Sequence, residues 1–223
     1  MAPEAARGAA CYIRGVPDLA ELDAWLLRAV YDGAASWAFA MVVLSALGSG
    51  WALLATLPFL RLARFRRTVL ALLATVITTA AVVAGLKLAV GRSRPCAGTL
   101  VARCAPPSDP SFPSGHAAGS FAFAGFVAMA GVEVVGSRRR HRTLTAGLFT
   151  LAAGVAASRV ALGVHYPTDV AAGALLGTTL GLYGGAWARR APNRGEDDPG
   201  APCYDDDVAL GATELPAEHR SGP

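Results

Sequence analysis

The chain has 223 residues, of which 53% are hydrophobic and 16% charged, and its formal net charge is +4. A soluble domain averages about 45–50% apolar and about 25% charged residues, so this composition excludes an ordinary soluble protein. It also excludes disorder for most of the chain, and we therefore expect a polytopic membrane protein.

The first helix predicted along the chain lies in the membrane interface. Within Asp18–Tyr31, Trp25 and Leu26 fall on one helical face, whereas Glu21 and Asp23 fall on the other. This segment carries too much charge to cross a bilayer, so we expect it to lie in the outer interface.

Five apolar runs follow, each long enough for a membrane-spanning helix of about 20 residues. They are Ser36–Leu60, Thr68–Val90, Ser114–Val135, Thr143–Leu162 and Asp169–Ala188. The first run contains two glycines and a proline, which membrane helices tolerate, so we count it. The sequence predicts an all-α transmembrane helix bundle with five spans and an N-terminal interfacial helix, or six spans if that helix also crosses.

Arginine clusters predict the orientation of these spans. The clusters at 61–67, 138–142 and 189–194 follow the first, third and fifth runs, so five crossings place them on one side. By the positive-inside rule that side is cytoplasmic, and the loop 91–113 and the turn 163–168 face outward. Basic residues in short clusters between apolar runs do not form a nucleic-acid-binding face, so we expect membrane lipids, and no nucleic acid, as partners.

The charge pattern divides the chain into three parts. Sixteen basic and three acidic residues lie between Gly33 and Gly195, whereas eight acidic residues and one arginine lie between Glu196 and Pro223. We predict an N-terminal segment at 1–35, a transmembrane domain at 36–190 and a disordered acidic cytoplasmic tail at 191–223.

Three polar groups lie at the outward ends of the predicted spans, where ionisable residues are usually functional. They are Lys87-x6-Arg94-Pro95, Pro113-Ser114-Gly115-His116 and Ser158-Arg159-x5-His165-x3-Asp169. Each has a structural explanation by itself: snorkelling for Lys87, a helix N-cap for Ser114 and a helix-dipole partner for Asp169. Together, three cations and a helix N-terminus opened by Gly115 predict a site for a multiply charged anion, above all phosphate.

The two histidines add reactivity to this anion site. His165 and Asp169 are four residues apart at a helix start, so Asp169 can hold one ring nitrogen and leave the other free as a nucleophile or base. His116 would stand beside the anion as a titratable proton donor. Phosphoryl transfer to water is the reaction that needs this set of groups.

In their order and spacing, the three motifs resemble the signature of the type-two phosphatidate phosphatase superfamily, which also contains bacterial acid phosphatases and vanadium haloperoxidases. The match spans residues 87–169. The resemblance implies that His165 forms a phosphohistidine, that Asp169 orients its ring, and that His116 protonates the leaving oxygen and then activates water. It also implies that neither a metal nor a cofactor takes part. The residues implied to hold the phosphoryl oxygens are Lys87, Arg94, Ser114, Gly115 and Arg159.

The leading hypothesis is a metal-independent lipid-phosphate phosphatase in the cytoplasmic membrane, with its site facing outward. We favour a prenyl diphosphate carrier as substrate, by analogy with bacterial relatives, followed by phosphatidate or phosphatidylglycerol phosphate. The alternatives are a vanadium-haloperoxidase-like enzyme, which the five spans disfavour, and a non-catalytic lipid-binding or transport protein, which the intact histidines disfavour. A metal site formed by His116, His165 and Asp169 is disfavoured by the surrounding cations.

The cysteines carry a separate expectation. Cys96 and Cys104 share the outward loop, so we expect them to form a disulfide in an oxidising exterior, whereas Cys203 stays reduced in the tail.

Overall fold

The helices follow the apolar runs closely, and the computed structural model describes residues 18–97 and 108–190. The helices are α1 Leu19–Gly33, α2 Ala38–Ala46, α3 Ala52–Leu54, α4 Ala63–Val90, α5 Gly115–Val135, α6 Arg138–Ala161 and α7 Pro167–Arg190. The described residues contain no strand, so the predicted all-α class is confirmed. The predicted tail at 191–223 lies outside the described residues.

The first apolar run, Ser36–Leu60, does not form one continuous helix. A π-helical segment, Leu47–Trp51, separates α2 from α3, and a 3-10 turn at Leu57–Arg61 leads into α4. Gly50 adopts a left-handed φ of 89°, and Pro58 lies in the 3-10 turn, where its missing N–H prevents a regular helix.

Helix length and hydropathy alone select fewer spans than the five predicted. Among the described residues, α4 and α6 are long and apolar enough to cross a membrane, and α1 with α2 would make a third span as a pair bent by 111°. The first run is broken, and the glycines and threonines of α7 lower its hydropathy. The protein is nevertheless a helical membrane bundle, since α4 to α7 form where spans were predicted.

The centre of the bundle is the contact between α5 and α7. Glycines occur in α7 at every fourth position from Gly173 to Gly185, all facing α5. A Cβ on Gly177 would lie 2.1 Å from the carbonyl oxygen of Ala118, and one on Gly181 would lie 2.3 Å from that of Ala122. The two backbones therefore touch, as small residues allow in membrane helices, and both helices begin at the same end of the bundle.

Helix α1 forms where the interfacial helix is predicted, and the face that packs on the bundle includes a charged residue. Asp23, Leu27 and Tyr31 are buried at successive four-residue intervals, whereas Trp25 is 64% exposed. Asp23, which the sequence pattern groups with the charged residues opposite Trp25 and Leu26, is only 2% exposed. The apolar face of α1 is therefore turned away from the bundle, and a carboxylate is turned into it.

Cys96 lies in the 3-10 turn Pro95–Ala97 and is disulfide-bonded. Its predicted partner Cys104, and the tail residue Cys203, lie outside the described residues.

Candidate active site

The three sequence motifs meet at the end of the bundle where α5 and α7 begin. Their residues come from the last turn of α4 and the loop after it, the start of α5, the last turn of α6, the following turn and the start of α7. The eight predicted site residues thus brought together are Lys87, Arg94, Ser114, Gly115, His116, Arg159, His165 and Asp169.

His165 lies in the turn between α6 and α7 and is 2% exposed. Its Nε2 is 3.2 Å from Nη1 of Arg94. Because a guanidinium can only donate, Nε2 accepts, and the proton of a neutral ring lies on Nδ1. Nδ1 faces Oδ2 of Asp169 at 3.6 Å, a separation that a small ring movement would reduce to a hydrogen bond.

The electrostatic surroundings keep the His165 ring neutral. Burial lowers the pKa of His165, and the charges of Arg94 and Arg159 lower it further, whereas Asp169 acts in the opposite direction. At neutral pH the ring therefore presents an unprotonated Nε2 beside a guanidinium.

Asp169 opens α7 and is fully buried. Its Oδ2, which faces His165, accepts a hydrogen bond of 3.0 Å from the backbone N–H of Tyr166, and its Oδ1 accepts one of 2.7 Å from Arg92. Its carbonyl oxygen accepts a 3.0 Å hydrogen bond from the N–H of Ser114, which ties the start of α5 to the start of α7.

Two of the three predicted phosphate-binding cations contact one carboxylate. Asp109 accepts hydrogen bonds from Lys87 through Oδ2 and from Arg94 through Oδ1, the latter at 2.8 Å. Burial raises the pKa of Asp109, but the hydrogen bonds and charges of Lys87 and Arg94 outweigh it and lower the pKa to about 2. An ionised carboxylate therefore lies between these two cations.

Arg94 also holds the backbone of two loops. Its Nε donates to the carbonyl oxygen of Asp109 at 2.9 Å, and its Nη1 donates to that of Val164 at 3.0 Å. The segment before α5 and the turn after α6 are thereby joined through one buried guanidinium.

Three buried donors at the site, Ser114 Oγ, Arg159 Nε and His165 Nδ1, have no acceptor among the described residues. Ser114 precedes α5, but its Oγ makes no capping hydrogen bond there, and Arg159 Nε is unsatisfied although Arg159 donates to Ser45 through Nη1. Buried donors without acceptors are costly unless a ligand satisfies them. His116, half-buried in the first turn of α5, lies within electrostatic range of Arg159, His165 and Arg94.

Sequence reasoning missed four residues around the site, which are Asp23, Arg92, Asp109 and Thr168. Arg92 donates through Nη1 to Thr168 and Asp169, and its Nη2 donates to Asp23 at 2.6 Å. The fourth is Asp109, one of only three acidic residues between positions 33 and 195. The position of Arg92 could have indicated a functional role, because it lies in the predicted outward loop, where the positive-inside rule disfavours basic residues.

The part of the chain that the structure describes holds no group of three His, Cys, Asp or Glu side chains arranged to bind a metal ion. The arrangement instead combines a neutral, oriented imidazole with cations and unsatisfied donors. Such a set can bind a multiply charged oxyanion and attack it.

Comparisons with known proteins agree with this chemistry. The profile of the PAP2 superfamily matches residues 68–192. The decaprenylphosphoryl-5-phosphoribose phosphatase of Mycobacterium tuberculosis is 36% identical over 132 residues, which cover 59% of this chain and 68% of that protein.

Two solved structures share the fold. A transmembrane PAP2-type phosphatidylglycerolphosphate phosphatase from Bacillus subtilis superposes with a TM-score of 0.68 at 24% identity, over 80% of this chain and 90% of that one. LpxE of Aquifex aeolicus superposes with a TM-score of 0.60 at 28% identity, over 73% and 94% of the two chains.

Proposed function

The chain belongs to the PAP2 superfamily and is a membrane lipid-phosphate phosphatase, and from this premise we propose that it removes the terminal phosphate of a polyprenyl lipid through a phosphohistidine at His165. The observation that carries the proposal is the acceptor state of His165 Nε2, 3.2 Å from Arg94 Nη1. An unprotonated Nε2 beside a cation that can turn from the ring to a phosphoryl oxygen is what attack on a bound phosphoryl group requires.

The first half of the reaction uses both histidines. His165 Nε2 attacks phosphorus, the bond from phosphorus to the ester oxygen breaks, and His116 gives its proton to the leaving oxygen. Asp169 accepts the Nδ1 proton in a hydrogen bond and stabilises the charge that develops on the ring. In the second half His116 takes a proton from water, whose oxygen attacks phosphorus, the N–P bond breaks, and phosphate leaves.

The phosphoryl oxygens are held by the cations and by the start of α5. Lys87 and Arg94 exchange Asp109 for two of these oxygens, and Arg159 Nε with Ser114 Oγ supplies donors that otherwise lack acceptors. The N–H of Gly115 adds a helix N-terminal donor. These residues act on charge directly, so we propose that the reaction needs no metal.

The lipid chain lies beside the site in an apolar cavity. A cavity of about 100 Å³ is lined by residues that include Gly119, Phe123 and Val155. Gly119 is one helical turn beyond His116, and Val155 is one turn before Arg159. A lipid whose phosphate reached the cations could therefore place the adjoining part of its chain there.

A polyprenyl substrate is supported by the mycobacterial relative. Its name describes a prenylphosphoryl sugar that carries a phosphate monoester. We therefore place such a prenylphosphoryl sugar phosphate ahead of the prenyl diphosphate favoured from the sequence.

The site faces the outer side of the cytoplasmic membrane. The arginines near the start of α4, at the start of α6 and at the end of α7 all lie at helix ends opposite the site. The positive-inside rule assigns those ends to the cytoplasm.

The experiment is kcat/KM for a panel of phosphates in the same micelles, with His165→Ala as the inactive control. The panel contains decaprenylphosphoryl-5-phosphoribose, undecaprenyl diphosphate, phosphatidate, phosphatidylglycerol phosphate and a soluble aryl phosphate. We expect a polyprenyl substrate to lead, since it gains apolar contacts and proximity. A lead by phosphatidate would refute the polyprenyl preference, and equal use of the aryl phosphate would refute a site at the membrane surface.

A further inference from the structure

A buried carboxylate on α1 is tied to the reaction centre although it belongs to none of the three motifs. Asp23 is 2% exposed, and burying a carboxylate costs several kcal/mol unless it is paired. Its Oδ1 accepts a 3.0 Å hydrogen bond from the N–H of Thr168, and its Oδ2 accepts from Thr168 Oγ1 at 2.5 Å and from Arg92 Nη2 at 2.6 Å. Within the described part of the chain, every hydrogen bond of this carboxylate thus leads to the start of α7 or to Arg92.

Arg92 stands between two carboxylates. Its Nη2 holds Asp23, its Nη1 holds Asp169 at 2.7 Å, and its guanidinium lies 4.0 Å from the ring centroid of Tyr166. Burial lowers the pKa of Arg92, but the hydrogen bonds and charges of Asp23 and Asp169 outweigh this effect and raise the pKa, so the guanidinium stays charged. The planar guanidinium is held at both Nη atoms by carboxylates and on one face by the ring of Tyr166, so it has little freedom to turn.

The contact with Arg92 determines which way the Asp169 carboxylate faces. Arg92 occupies Oδ1, so Oδ2 is the oxygen left for the N–H of Tyr166 and for Nδ1 of His165. Without Arg92 the carboxylate could rotate, and the ring of His165 would lose its partner. Without Asp23, Arg92 would lose one of the two anions that hold it in place.

We propose that Asp23 is a positioning residue, which through Arg92 fixes the Asp169 carboxylate and hence the ring of His165, so that docking of α1 is part of assembling the nucleophile. This inference rests on the proposed function, because it assigns Asp23 an effect on the step that His165 carries out.

The test is a double-mutant cycle of Asp23→Asn and Arg92→Gln in the full-length protein, with Asp32→Asn as the control. Asp32 is an exposed carboxylate on the same helix, so its variant should match the wild type. We expect Asp23→Asn to lower kcat at least about tenfold with KM within about twofold, since the nucleophile is misplaced while the phosphate-binding cations stay. In the Arg92→Gln background the same change should cost less than about twofold, because Asp23 acts through Arg92.

The pH profile of kcat/KM separates positioning from a general structural role. The charged groups that act on His165 are Arg94, Arg159 and Asp169. Asp169 raises the pKa of His165, so a variant that turns this carboxylate away should move the acidic limb to lower pH. Both Asp23→Asn and Arg92→Gln should do so, whereas a variant that only reduces the folded fraction leaves the limb in place.

Each outcome decides the proposal. Equal losses from Asp23→Asn in both backgrounds, or an acidic limb that stays in place in both single variants, would overturn it. If Asp23→Asn alone does not fold, the double variant Asp23→Asn/Arg92→Gln can be measured instead, because it removes both members of that ion pair. A large loss of kcat in the double variant relative to Arg92→Gln would likewise overturn the proposal. A wild type inactive on every lipid phosphate would refute the proposed function, whereas an active wild type matched by Asp23→Asn would refute only this inference.

Discussion

Gly173→Ala should impair the reaction by adding a single methyl group where α7 begins. An ideal Cβ at Gly173 would lie 2.5 Å from the carbonyl oxygen of Ser114, whereas ordinary contacts of a Cβ begin at 3.4 Å. The difference, about 0.9 Å, is the local separation that the two helices must undergo. Ser114 and His116 would move by a similar amount relative to His165. Because a misplacement of about 1 Å can cost about a hundredfold in rate, we expect kcat/KM to fall between about tenfold and a hundredfold.

The assay compares kcat/KM and the thermal midpoint of three variants in one detergent. Gly147→Ala in α6 is the control, because nothing lies within 4 Å of its Cβ and alanine favours a helix over glycine by about 0.5–1 kcal/mol. Gly181→Ala meets Ala122 but lies about two turns farther from the site, so it should lower the midpoint with less loss of activity. Wild-type activity in Gly173→Ala would refute the reasoning, and equal losses of activity at Gly173 and Gly181 would assign the effect to stability.

Three further predictions concern the site. Asp109→Asn removes the carboxylate held by Lys87 and Arg94, so inorganic phosphate should inhibit the variant at a several-fold lower concentration. An unchanged inhibition constant would show that Asp109 does not compete with phosphate for these two cations. His165→Ala should abolish the phosphoenzyme in rapid-quench experiments with labelled substrate. His116→Ala should retain more activity on an aryl phosphate, whose leaving group needs no proton, than on a lipid phosphate. Phosphoenzyme trapped in His165→Ala would reverse the roles of the two histidines. Activity should survive a strong chelator and be blocked by vanadate, which resembles the transition state; restoration by Mg²⁺ or Zn²⁺ after chelation would contradict metal independence.

The motif residues could be predicted because each group is contiguous in sequence and lies at the end of an apolar run. The short spacing between His165 in the turn and Asp169 at the start of α7 keeps the two residues close, and the spans bring the three groups to one level. The Asp109 contacts were not predictable in this way. Asp109 meets Lys87 across 22 positions, and nothing local indicates which of the outward cations it would contact.

The burial of Asp23 in α1 could not be predicted from the sequence, for a physical reason. In a soluble protein the apolar face of an amphipathic helix faces the core, but next to lipid the same face can turn outward. Burial of Asp23 depends on Arg92, 69 positions away, and on Thr168, 145 positions away. No pattern within Asp18–Tyr31 contains that information.

The two loops held by Arg94 have a consequence for how this protein is handled. Membrane helices can form individually before they associate, and α4 to α7 satisfy their own backbone hydrogen bonds. The bonds from Arg94 to the carbonyl oxygens of Asp109 and Val164 form only after separate helices have docked. A detergent preparation with full helical circular dichroism can therefore be inactive, and recovery of turnover, rather than of helicity, measures whether the bundle has assembled.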